Sequence, residues 1–118
     1  MSLIDLLPSN AHLVSLPEGE LIFAQGDRGE LMYVVVEGEA QILIEGKVVE
    51  TVGAGGILGE MALIDAEPRS ATALTKTPCV LIPIDEKGFA GLVTRQPEFA
   101  LQVMRVLAHR LRMMDVER

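Results

Sequence analysis

Residues 57–73 read ILGEMALIDAEPRSATA, setting Glu60 into an apolar run behind a glycine and bringing Arg69 and Ser70 nine and ten residues later. Four glycines, Gly53, Gly55, Gly56 and Gly59, lie just upstream, and Glu60 to Ile64 is a short helix-forming run. Glycines let a backbone come close to a ligand, and the first turn of a helix offers unpaired N–H groups to a phosphate. Arg69 adds a permanent charge and a planar fork suited to phosphate oxygens, and Ser70 adds a hydroxyl. Glu60 would repel a phosphate, yet it can accept hydrogen bonds from a sugar hydroxyl. A ligand with one phosphate, a free ribose hydroxyl and a flat apolar base satisfies every group in the stretch. The alternative is a Glu60–Arg69 ion pair closing an ordinary loop, and residue types and spacing leave both readings open.

Other chemistries find less support. A metal centre in a β-sandwich needs histidines two apart on an inward strand face. His12 and His109 are the only histidines, and Tyr33 and Val35 stand in LMYVVVEG where such a pair would be. Cys79 is the single cysteine, so no internal disulfide forms, and its place in PCVLIPI marks it as a small core residue. It has no histidine near it in sequence, and no serine occupies a G-x-S-x-G elbow. Glu60 and Asp65 are the nearest thing to a carboxylate pair, without further catalytic partners. No enzyme, no metal ligand and no cofactor apart from a bound ligand is therefore expected.

The elements that position these residues follow from the texture of the chain. At 118 residues it suits one domain with one real core, spanning 1–118. SLIDLLPSN reads as a short amphipathic helix ended by Pro8. Strands are expected in HLVSL, GELIFA, LMYVVVEG, EAQILIEG, KVVETV, SATALTK and CVLIPI, with Gly38 and Gly46 at chain reversals. Many short strands in one small domain imply a sandwich or barrel. From Asp85 the pattern turns helical, and Pro97 starts a second helix in which Met104, Leu107, Leu111 and Met114 recur at three-and-four spacing, widened by Leu101 and Ala108. That stripe suits a lid, a dimer seam or packing on the sandwich.

Ten basic residues against seventeen acidic give a net charge of −7, which repels nucleic acid and anionic lipid over most of the surface. An anionic ligand must be met locally. No apolar run approaches the roughly 20 residues of a membrane span. The opening residues lack the basic lead and cleavage site of a secretory signal, so a cytoplasmic location is expected.

The segment LGEMALIDAEPRSATA resembles the phosphate-binding cassette of cyclic nucleotide-binding domains, as in catabolite activator proteins, regulatory subunits of cyclic-AMP-dependent kinase and nucleotide-gated channels. Gly59, Glu60, Met61, Ala62, Leu63, Pro68, Arg69, Ser70 and Ala71 fit the pattern. Upstream, FAQGDRGELMYVVVEGEAQI resembles a second signature in Gly26, Asp27, Tyr33, Val35 and Gly38. The resemblance implies a mainly β fold: an eight-stranded jelly-roll sandwich with a short N-terminal helix, a short cassette helix and two C-terminal helices. It assigns Glu60 to the ribose 2′-hydroxyl and Arg69 to the cyclic phosphate, with further donors from Ser70 and from the backbone of Ala62 and Ala71. Gly59 and Met61 would line the ribose side, and Ile42 and Val49 the base.

Two departures bear on function. Leu58 stands where the family usually has an aromatic residue. The final helix offers Arg105, Arg110, Met113, Met114 and Asp115 without the threonine and serine that often cap the base. The implied role is a regulatory sensor for a cyclic mononucleotide, with cyclic AMP favoured and cyclic GMP the alternative. A homodimer through the C-terminal helix, an effector domain or a partner protein would read the signal, with no nucleic acid or membrane contacted by this domain. The rival reading is a ligand-free jelly-roll module of the same fold, acting in protein interaction or dimerisation.

Overall fold

The computed structural model describes residues 2–65 and 67–116, the side chains of 114–116 apart. A four-residue 3₁₀ turn, Leu3–Leu6, opens the chain, capped by the Ser2 hydroxyl and buried at Leu3 and Leu6. Eight strands follow: β1 Val14–Leu16, β2 Leu21–Phe23, β3 Met32–Glu37, β4 Ala40–Ile44, β5 Lys47–Val52, β6 Ile57–Leu58, β7 Thr72–Thr75 and β8 Cys79–Ile84. The helices are α1 Met61–Ile64, α2 Glu86–Arg95 and α3 Pro97–Val116.

The strands form two antiparallel four-stranded sheets, ordered β1-β8-β3-β6 and β2-β7-β4-β5. They face each other as a sandwich that does not close into a barrel, the jelly roll expected from the sequence. Gly38 and Gly46 take φ of 89° and 77° at the two reversals, values L side chains rarely adopt. At Gly38 a side chain would also overlap the Pro78 carbonyl.

The core has two compartments because β3 and β8 are apolar on both faces. Val35, Leu81 and Cys79 turn inward to meet Ala40, Val52 and Leu58 between the sheets. Met32, Val34, Ile82 and Ile84 turn outward, where Leu3, Leu6, Leu92, Phe99 and Val103 cover them. The Phe89 and Phe99 rings meet edge-on at 5.5 Å. Cys79 is buried, and burial pushes its thiol pKa above the ordinary 9.0.

The eighth strand, β6, lies inside the glycine-rich stretch. Two residues are too short to show alternation, so periodicity could not reveal it. The structure also decides which face of α3 is covered. Phe99, Val103, Val106 and Leu107 pack on the core, whereas Leu101, Met104 and Leu111 are 45%, 55% and 62% exposed. The stripe read from the sequence therefore lies mostly on the open side of the helix, with Leu107 at its boundary. Its Met114 side chain falls outside the described set.

Candidate functional site

The glycine stretch reverses the chain through a turn at residues 54 and 55, enters β6, and leaves it at Gly59 with φ of 70°. That left-handed residue starts α1: Ala62 N–H donates to the Gly59 carbonyl at 3.2 Å and Leu63 N–H to the Glu60 carbonyl at 3.1 Å. Glu60 is the N-cap and only 4% exposed. Leu58, fully buried between the sheets, fills the place of the expected aromatic residue. Met61 is half exposed, Ser70 is exposed, and Gly59, Ala62 and Ala71 are partly covered.

Arg69 precedes β7 and is 8% exposed. Its backbone locks onto the β2–β3 loop in both directions: Arg69 N–H donates to the Asp27 carbonyl at 2.7 Å, and Gly26 N–H to the Arg69 carbonyl at 2.8 Å. The guanidinium turns back toward the same loop. Nη1 donates to the Gly59 carbonyl at 3.1 Å and Nη2 to the Leu31 carbonyl at 2.8 Å. The charge lies 4.0 Å from the centroid of the Phe23 ring. Nε is buried with no hydrogen-bond partner among the described residues. Burial lowers the pKa of this guanidinium, with Tyr33, Asp27 and Glu60 opposing the shift.

The ion pair that the spacing allowed between Glu60 and Arg69 is not formed. Glu60 instead accepts from Nη1 of Arg110, a residue of α3. Arg110 also donates from Nε and Nη2 to Glu50 on β5, at 2.9 and 3.2 Å, and from Nη2 to the Ile57 carbonyl at 2.9 Å. Burial works against its charge, but the hydrogen bonds and charges of Glu50 and Glu60 outweigh it, holding the guanidinium above the usual arginine value. One side chain thus joins α3 to the cassette and to the second sheet. Beside it is a cavity of about 290 Å³ lined by Glu50, Val52, Ile57, Val106, His109 and Arg110.

Sequence reasoning did not assign Glu50 and Arg110 to the site. A signal for Arg110 was present: it lies seven residues after Val103 and three after Leu107, in phase with the face that packs. Of the two positions expected to line the base, Ile42 packs with the inter-sheet core and Val49 is 53% exposed. No group of three or more His, Cys, Asp or Glu side chains able to hold a metal occurs among the described residues. No described helix is long and apolar enough to cross a membrane.

The family model for the cyclic nucleotide-binding domain matches residues 13–96, and the chain belongs to that family. Over 119 residues it is 31% identical to the cyclic AMP receptor protein of Thermus thermophilus, covering 97% of this chain and 55% of that protein. It is 29% identical over 116 residues to the CRP-like cAMP-activated global transcriptional regulator of Mycobacterium tuberculosis, covering 94% and 52%. Among solved structures, the Catabolite Activator Protein of Thermus thermophilus matches with a TM-score of 0.84 at 32% identity, over 98% of this chain and 56% of that one. The chain spans about half the length of these relatives.

Proposed function

We propose that residues 1–118 form one regulatory domain that binds a cyclic mononucleotide, cyclic AMP in preference to cyclic GMP, and passes the binding event on through α3. The observation that carries this reading is that Glu60 and Arg69 are both buried yet make no ion pair with each other. Arg69 keeps an unpartnered buried Nε, and such a donor costs about 1–3 kcal/mol until something accepts from it. A phosphate oxygen is a suitable acceptor, and the remaining N–H groups of the guanidinium add to the match. Glu60, held from one side by Arg110, has a second carboxylate oxygen for the ribose hydroxyl. Gly59 and Met61 line the sugar side, while Ala62, Ser70 and Ala71 supply the remaining phosphate contacts. The names of the bacterial relatives support cyclic AMP.

The domain acts by binding, with no catalytic step and no cofactor, in the cytoplasm. Arg110 couples ligand to output because it contacts the ribose carboxylate and is part of α3. A ligand that binds better when α3 is docked shifts the helix toward that position. Titration calorimetry tests the reading: binding of cyclic AMP is expected, and absence of heat from either nucleotide at high micromolar concentration with folded protein would sink it.

A second role rests on the open face of α3. Leu101, Met104, Ala108 and Leu111 are exposed at three-and-four spacing, the pattern of a coiled-coil seam. A second copy of this chain is the occupant proposed for that face, with an effector domain or partner protein receiving the signal. Leu111→Glu is expected to leave a monomer in sedimentation experiments where the parent chain dimerises. A monomeric parent chain would refute the seam.

A further inference from the structure

We infer that Phe23 is a positioning residue for the proposed phosphate contact, fixing the direction of the Arg69 guanidinium before ligand arrives. The inference rests on the nucleotide-binding reading above and names a residue that the cassette motif does not contain. Arg69 lies on a floor made by the Phe23 ring, 4.0 Å below the guanidinium carbon. That ring is itself supported by Tyr33, stacked at 6.2 Å with 24° between the planes. Both rings pack against the inter-sheet core. Two glycines make the walls: a Cβ at Gly29 or at Gly59 would overlap the guanidinium. The carbonyls of Gly59 and Leu31 then hold Nη1 and Nη2.

This cradle fixes the plane of the guanidinium while leaving Nε without a partner. A long side chain free in solvent must lose rotamer freedom when it grips a phosphate. Here the fold meets most of that cost in advance, and the ring face contributes a cation–π attraction strengthened by burial. Two features bear on phosphate affinity from outside the cassette motif. One is an aromatic at 23; the other is a residue without a side chain at 29.

The test is a binding cycle with cyclic AMP on the whole chain, using Phe23→Leu, Arg69→Lys and the double variant. Phe23→Leu keeps most of the apolar volume while removing the ring face, and is expected to weaken binding about three- to tenfold in protein that remains folded. In the Arg69→Lys background the same change is expected to alter affinity less than twofold, because the planar group it orients is gone. A merely structural role would give the same loss in both backgrounds and would overturn the inference. Gly29→Ala provides an independent arm: a comparable loss of affinity in folded protein supports the cradle, and unchanged affinity counts against it. Failure of the unaltered chain to bind cyclic AMP or cyclic GMP would instead refute the proposed function, so the two failures are distinguishable.

Discussion

Replacing Arg110 with alanine removes the side chain that, among the described residues, joins α3 to Glu60, Glu50 and the Ile57 carbonyl. The Glu60 side chain is 5% exposed with Arg110 in place, so losing the guanidinium leaves its carboxylate without its charged partner in a largely dry site. Leaving a buried charge unpaired costs about 3–5 kcal/mol. The Glu50 arm adds little, since that side chain is 37% exposed and such pairs are worth at most about 1 kcal/mol. A destabilisation on the order of 3 kcal/mol is therefore expected for Arg110→Ala, at the low end because Arg110 is itself 19% exposed. Glu60→Gln should cost less, about 1–2 kcal/mol, because an amide still accepts from the guanidinium and Arg110 keeps Glu50. With Arg110 gone, the neutral glutamine becomes an improvement over the carboxylate. The double variant should accordingly be more stable than the sum of the singles, by at least about 1 kcal/mol. Urea unfolding followed by circular dichroism measures all four proteins on one scale. Additivity within about 0.5 kcal/mol, or an Arg110→Ala chain as stable as the parent, would refute the reasoning.

Other outcomes follow from the same contacts. Arg69→Ala should weaken cyclic AMP binding on the order of ten- to more than a hundredfold, the equivalent of one or more charge-assisted hydrogen bonds, by calorimetry on protein shown to be folded. Gly59→Ala should lower stability by about 1 kcal/mol or more, since a side chain there is strained at φ of 70° and would overlap Arg69. Phe99→Ala, at a fully buried position between α3 and the first sheet, should cost about 3–5 kcal/mol in the same urea assay. The Cys79 thiol titrates higher in the folded chain than in the unfolded one, so its contribution is present below pH 9.0 and is lost as pH rises through the folded value. The melting midpoint should fall more steeply above that pH in the parent than in Cys79→Ala.

Much of the architecture was legible because it rests on local rules. Seven of the eight strands carry enough Val, Ile, Leu or Thr between turn residues to declare themselves, and Pro97 with its acidic neighbour Glu98 marks the start of α3. β6 was not legible, because Ile57–Leu58 is a strand only by pairing with Tyr33 and Val34. Which face of α3 is buried was left open by the sequence for a related reason. The helix carries two apolar rows, Leu101, Met104 and Leu111 on one side and Phe99, Val103, Val106 and Leu107 on the other. Periodicity detects rows, and only the 3₁₀ turn, α2 and the outer face of the first sheet select which one is covered.

The sequence by itself determined the chemistry of the cassette: a carboxylate, a guanidinium and a glycine-rich approach within one short segment, recognisable because their spacing is local. Tertiary structure decided the partners. Glu60 meets Arg110 across 50 positions of chain, and Arg69 meets Leu31 across 38. Such contacts leave no trace in periodicity or motif, since they depend on which surfaces the sheets and α3 bring face to face. The bland Glu60–Arg69 pair was reasonable along the chain and is absent in space. The fold turns the two charges toward different neighbours, one to the helix and the other to the β2–β3 loop.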